Sequence, residues 1–365
     1  MQVRNRCMKA ATAVVATMLL AACSSSTTSS TTTASPSTTT ASSTTSAAAG
    51  AAAALDGNIT VYSGQHEQTV AALVAAFEAQ THIKVSVRSD DEATLANQIL
   101  QEGGSSPADV FFGENPASLN TLDAKHLLAT TTASTLAAVP SIDSPTTGNW
   151  VGVSARAVAL VYNTSKAKES ALPTSILDFA DPVWKGKFGF APGETDFQPI
   201  VTAIIQTKGL DAATAWLTGL KTNAKLYNDN EGLVAAVNRG EIETGVIDHY
   251  YWYRLSDEVG AGKVTSALHY FAAGDPGSLV DVSGAGQLLS SKHPGSAQAF
   301  LAFLVSKPAQ DIIGTSESYE YPLAAGVTTS KPLRPFADFG TPVVTIAQLG
   351  DGQQAVRLLQ QIGLL

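Results

Sequence analysis

Six consecutive residues, Asp248-His249-Tyr250-Tyr251-Trp252-Tyr253, gather a carboxylate, an imidazole, three phenols and an indole. Such a set can hold a cation through its oxygen and nitrogen donors, or through ring faces around an organic cation. Read alone, the string is first an aromatic packing cluster, because neighbours on a regular strand point to opposite faces. Two of its phenols can share one ligand only where a strand passes into a helix and that alternation breaks. His66 and Glu114 are further donors, although a lone residue of either kind is ordinarily a cap or a surface group. The chain has no Gly-x-Ser-x-Gly elbow, no His-Glu-x-x-His pair and no glycine-rich phosphate loop.

These residues need elements to position them. Ile59-Thr60-Val61-Tyr62, Ile83 to Val87 and Ala108 to Phe112 read as strands, and Val70, Leu73, Val74 and Phe77 as one apolar helix face between the first two. Strands alternating with helices indicate an α/β fold with a parallel sheet. Ligands of such sheets bind beyond the carboxyl ends of the strands, where His66 and Glu114 fall. Val151 to Tyr162 reads as a long strand leading to a second α/β run. That run has a strand at 187–190, helices near 197–208, 211–220 and 231–238, and strand-like segments at 225–227 and Thr244 to Asp248. The roughly 310 residues after position 54 exceed what one core usually serves, so two lobes are expected.

The N-terminus fixes the compartment. Arg4, Arg6 and Lys9 precede an uncharged run from Ala10 to Ala22, too short to span a bilayer, so residues 1–22 read as a signal peptide. Leu20-Ala21-Ala22-Cys23 resembles a bacterial lipobox, which implies cleavage before Cys23 and a lipid anchor on it. Cys7 leaves with the signal peptide and Cys23 is consumed, so disulfides and thiolate sites are excluded. Residues 23–54 are nearly all Ser, Thr and Ala and read as a tether. The formal charge of −9 becomes −12 once Arg4, Arg6 and Lys9 are removed. That balance argues against nucleic acid and suits a cationic solute.

Ile59-Thr60-Val61-Tyr62-Ser63-Gly64-Gln65-His66 and Asp248 to Tyr253 resemble the bacterial periplasmic ferric-ion-binding proteins. The likeness runs from about Asn58 to Leu365, through Pro107 to Phe111, Trp184 to Lys187, Asp275-Pro276-Gly277 and Glu320-Tyr321-Pro322-Leu323. It implies a two-lobe periplasmic-binding-protein fold with a cleft and hinge strands near Val151–Ser154 and Gly277–Ser283. The implied lobes are 55–153 with 281–330, and 154–280 with 331–365. It also implies that His66, Glu114, Tyr250 and Tyr251 hold Fe(III), a hard cation suited to carboxylate and phenolate with imidazole as a borderline donor. The implied protein is a monomeric solute-binding lipoprotein, not an enzyme. It sits on the outer face of the cytoplasmic membrane and delivers iron to an ABC permease.

The chain departs from the family where a synergistic anion such as phosphate or carbonate is bound. A Ser-Gly-Ala-like turn is replaced by Glu194-Thr195-Asp196, Asn115 and Asn230 stand at polar anion-site positions, and Asp248 replaces an asparagine. Three acids there would repel an anion, which puts that site in doubt. Glu194 or Asp196 can instead serve as a built-in carboxylate, or both can face solvent on a polar turn. Two alternatives stay open: an organic cation such as thiamine or a polyamine held by Tyr250, Trp252 and Tyr253, and a lipoprotein metallohydrolase.

Overall fold

The computed structural model describes residues 55–365; the expected signal peptide, tether and lipidated Cys23 lie outside the described residues. The chain opens with β1 (Ile59–Ser63), α1 (Glu67–Thr81), β2 (Val85–Ser89), α2 (Glu92–Glu102), β3 (Val110–Gly113) and α3 (Pro116–Ala124). Helix α1 buries Val70, Leu73 and Phe77, the three- and four-residue spacing of one helical face. It ends where His82 turns left-handed, at φ 62°. The Asp91 side chain caps α2 by accepting from the Thr94 amide at 2.9 Å. Strand β1 lies between β2 and β3 and is parallel to both.

After α4 (Ala133–Leu136), the thirteen residues of β4 (Val151–Asn163) are all buried. Then come β5 (Phe188–Phe190), α5 (Phe197–Lys208), α6 (Leu210–Asn223), β6 (Lys225–Leu226), α7 (Asn230–Asn238), β7 (Thr244–Asp248), α8 (His249–Val259) and β8 (Ser266–His269). Gly209, at φ 89°, makes the sharp break between α5 and α6 that a residue with a Cβ resists. The remainder is β9 (Val280–Gln287), α9 (Pro294–Leu304), α10 (Lys307–Thr315), β10 (Tyr321–Pro322), α11 (Ile346–Leu349) and α12 (Gln353–Ile362).

The strands run in the order β2-β1-β3-β9-β4-β7-β5-β6, with β10 and β8 also on β4. Strand β4 changes partners along its length. Val151 to Ala157 pairs antiparallel with β9, and Val158 to Tyr162 pairs antiparallel with β7. The first half of the sheet has a core on each face, one around Val61, Leu73, Phe77 and Phe300, the other around Leu95, Ile99, Phe111 and Trp150. The second half is packed around Leu160, Phe188, Ile204, Trp216 and Leu220 on one face and Leu233, Ile247 and Leu255 on the other. Between residues 331 and 349 the chain packs Leu333, Phe339 and Ile346 on the first half, and α12 then buries Leu358 and Leu359 in the second. No helix among the described residues is long and apolar enough to cross a membrane.

The pairing of β4 with β9 carries an irregularity between Gly152 and Ser154. A Cβ on Gly152 would lie 2.0 Å from the Asp143 carbonyl oxygen and 3.0 Å from Val282 Cγ1. Backbone cannot yield as a flexible side chain does, so Gly152→Ala is expected to cost about 2 kcal/mol. Urea unfolding of parent and variant checks this; an unchanged midpoint would show that the strand end relaxes freely.

Candidate metal centre

The strand-to-helix junction that adjacent phenols need is present: β7 ends at Asp248 and α8 begins at His249. Tyr250 and Tyr251 therefore lie in the first turn of a helix, and their rings come within 4.2 Å, centroid to centroid. His66 stands between β1 and α1, at the position just before that helix, and Glu114 follows β3 directly. Asp196 precedes α5, on the turn after β5.

These residues converge from both halves of the sheet. The Tyr251 hydroxyl donates to Asp196 Oδ2 at 2.9 Å, and the Tyr250 hydroxyl lies 3.1 Å from both Asp196 Oδ2 and Glu114 Oε1. Tyr250 has one proton for two carboxylates. His66 Nε2 is 3.4 Å from Glu114 Oε1 and is buried without a hydrogen-bond partner. His66, Glu114 and Glu320 bring donor atoms within 4.8 Å of one another. Tyr250 thus links two donor groups, Asp196 with Tyr251 on one side and Glu114 with His66 and Glu320 on the other. Phenols, carboxylates and an open imidazole nitrogen suit a hard, highly charged cation.

Burial, together with the charges of Asp196 and Glu114, pushes both tyrosines well above the usual phenol value. Empty of metal, the site holds them as phenols, and a cation must displace their protons to bind. Burial, aided by Arg254 and Arg156, holds His66 well below its usual value, so the imidazole is neutral and its lone pair available. Arg254 also lies over the Tyr250 ring at 4.5 Å.

The other expected residues divide. Asp196 is 7% exposed and faces the tyrosines, so the solvent-facing alternative fails for it. Glu194 is half-buried and raised to about 7 by burial and the neighbouring charge of Asp196, without joining the hydrogen bonds of the centre. Thr195 lines a small cavity of about 30 Å³ with Asn115 and Glu92, apart from the tyrosine hydroxyls. Asn115 is already engaged, donating to Glu92 Oε1 at 2.7 Å and accepting from Arg156. Asn230, at the start of α7, lies against the Tyr251 hydroxyl and favours its phenolate. Asp248 is an ion-pair partner: its Oδ2 accepts from Arg156 Nε at 3.2 Å.

That last contact corrects the charge argument drawn from the sequence, which counted the acids without a cation. Arg156 is fully buried among Asp196, Asp248, Asp281 and Glu320, at 3.9, 3.2, 3.7 and 3.9 Å. The reading along the chain missed it because a single arginine within an alternating strand looks solvent-facing. The signal was its place among Val153, Ala155, Ala157 and Val158, on a run with no other charge. Glu92 was also missed. Its carboxylate accepts from the Glu114 and Asn115 amides, both at 2.8 Å, and so fixes the loop that carries Glu114. Burial nevertheless raises Glu92 to about 8.

A profile of the bacterial extracellular solute-binding proteins matches residues 72–334. The chain is similar to the Fe(3+)-binding periplasmic protein of Serratia marcescens, 40% identical over 310 residues, covering 85% of this chain and 91% of the relative. It is similar to the major ferric iron-binding protein of Neisseria meningitidis serogroup B, 40% identical over 309 residues, covering 84% of this chain and 93% of the relative. Among solved structures, iron-bound HitA from Pseudomonas aeruginosa superposes with a TM-score of 0.81 at 42% identity, covering 84% of this chain and 100% of the other.

His249, beside the two tyrosines in sequence, points away from the centre. Its Nδ1 accepts from the Ala157 amide at 3.1 Å, and its Nε2 bonds the Tyr319 carbonyl at 2.8 Å. Burial lowers it from 6.5 to about 4. A lowered value favours the neutral form in the folded chain, so its stabilisation is complete above pH 6.5 and is lost as pH falls through about 4. The full span is worth about 3 kcal/mol. The stability difference between parent and His249→Asn should shrink by roughly that amount from pH 7 to pH 4 in urea titrations, whereas a difference independent of pH would show that His249 titrates normally.

Proposed function

This chain belongs to the bacterial extracellular solute-binding proteins, and from that premise we propose that it is the ferric-ion-binding subunit of an ABC-type importer, passing iron to a membrane permease. The α/β fold expected from the sequence is the one its iron-binding relatives share. The observation that carries the reading is the linked set of His66, Glu114, Tyr250 and Tyr251, donors from both halves of the sheet, with Asp196 accepting from both tyrosines. The lobes are 55–153 with 281–330 and 154–280 with 331–365, with β4 and β9 running between them, and Leu333, Phe339 and Ile346 of the last segment reach back onto the first half of the sheet. The partner change along β4 supports that division. The protein is a monomer held to the outer face of the cytoplasmic membrane by lipid on Cys23.

Asp196 is the built-in carboxylate. With both tyrosines ionised, two phenolates, Glu114 and Asp196 carry four negative charges, one more than Fe(III) supplies, before the acids that share Arg156 are counted. An exogenous anion then has little to neutralise, and the side-chain amide of Asn115 that would receive one already donates to Glu92. An organic cation is disfavoured because these rings already have partners: Arg254 lies over the Tyr250 ring, Tyr251 packs against it, and Tyr253 stacks on Tyr319 at 5.2 Å. The role is binding and delivery, not catalysis, in keeping with the named relatives.

Titration with ferric nitrilotriacetate should produce a phenolate-to-iron absorption band in the visible range. Tyr250→Phe and Tyr251→Phe should each weaken binding by more than about 100-fold, since loss of a direct ligand exceeds the effect of its supporting partners, while His66→Ala should lose less. Full absorbance and parent affinity in both tyrosine variants would leave the aromatics as packing alone.

Affinity in anion-free buffer and in phosphate should match for the parent, and Asp196→Ala should bind iron strongly only when phosphate is added. A parent that needs phosphate is not using its own carboxylate. Separately, Cys23→Ser should leave the membrane fraction with its iron binding intact; a variant retained in washed membranes is anchored by something else.

A further inference from the structure

Arg156 touches the segments that carry Glu114, Asp196 and the two tyrosines, and it reaches the His66 segment through Glu320 and Gln65. Its Nη1 and Nη2 donate to the Glu114 carbonyl and to Asn115 Oδ1, on the loop after β3. Its Nε donates to Asp248, two residues before Tyr250, and lies 3.9 Å from Asp196 Oδ1, the oxygen that the tyrosines leave without a hydrogen bond. Nη1 also faces Glu320. Glu320 accepts from Gln65 Nε2 at 3.1 Å, and Gln65 Oε1 accepts from the His66 amide at 2.7 Å. The guanidinium thus sits at the node of the Glu114, Asp196, tyrosine and His66 segments, on the one strand that pairs with both halves of the sheet.

Taken alone, a fixed positive charge beside a centre for a trivalent cation opposes binding. Its location is explained by geometry: a planar fork with five donors can hold several acceptors in fixed relative directions, which an ammonium cannot. We propose that Arg156 is the positioning residue of the centre. It holds the ligand-bearing segments of both sheet halves in register, so that iron meets a preformed set and is retained. The proposal rests on the ferric reading above. It adds that retention depends on a residue that does not contact the metal.

Two variants test it. Arg156→Lys keeps the charge and loses the fork, and Arg156→Met combined with Asp248→Asn removes an opposite pair together, a change that buried ion pairs often tolerate. Each is loaded with ferric nitrilotriacetate and chased with excess EDTA while the visible band and thermal melting are recorded. Cooperative melting with iron release at least about tenfold faster than the parent, and a shifted band maximum, is the expected result. A folded variant with the parent's release rate and band overturns the proposal; if the double variant does not fold, Arg156→Lys decides. Should the parent take up no iron, the ferric reading fails first, and hydrogen exchange of the iron-free proteins still tests positioning. Faster exchange in Arg156→Lys at both 113–116 and 248–251 supports it, and unchanged exchange at both overturns it.

Discussion

A guanidinium without access to water must have its charge met by the protein, because an unpaired buried ion costs several kcal/mol. Arg156 is fully buried near the middle of β4, and the acids of the centre are arranged around that requirement. The same charge makes a dense acidic cleft tolerable. Asp196, Asp248, Asp281 and Glu320 are all nearly inaccessible, and without a cation among them their mutual repulsion would drive protonation. Part of that pressure remains, since burial raises Asp281 to about 6 and Glu320 to about 7. The centre balances partly neutralised acids against one permanent positive charge.

Local backbone geometry makes the balance usable. Adjacent tyrosines would face opposite ways on a strand, and the passage from β7 into α8 at Asp248–His249 removes that obstacle. His249, between them and the strand, is turned inward by the Ala157 amide and the Tyr319 carbonyl, so the imidazole nearest in sequence to the tyrosines is a structural pin. The imidazole that does lie beside Glu114, His66, arrives from nearly two hundred residues earlier.

Much of the secondary structure was legible. The spacing of Val70, Leu73 and Phe77 and the apolar runs at 59–62 and 108–112 follow from burial of one helix face or of a whole strand, which sequence periodicity reports directly. Helix boundaries were close where a cap or a glycine marks them, as at Gly209. Strand β2 begins at Val85 and is largely exposed, because an edge strand needs no apolar run to signal it. The segment from 331 to 349, which packs Leu333, Phe339 and Ile346 on the first half of the sheet, has no periodicity to read.

The sequence by itself determined the donor types, their order and the element ends that carry them: His66, Glu114, Tyr250 and Tyr251 stand where strands stop, and that much is local chemistry. Only the tertiary structure decided which acid meets the tyrosines. Glu194, Asp196 and Asp248 are equivalent as letters, yet one is half-buried, one receives both tyrosine hydroxyls and one pairs with Arg156. A side chain's direction on a turn is set by what packs across from it. Here those neighbours come from β4 and α8, tens of residues away along the chain, so no local pattern records the choice.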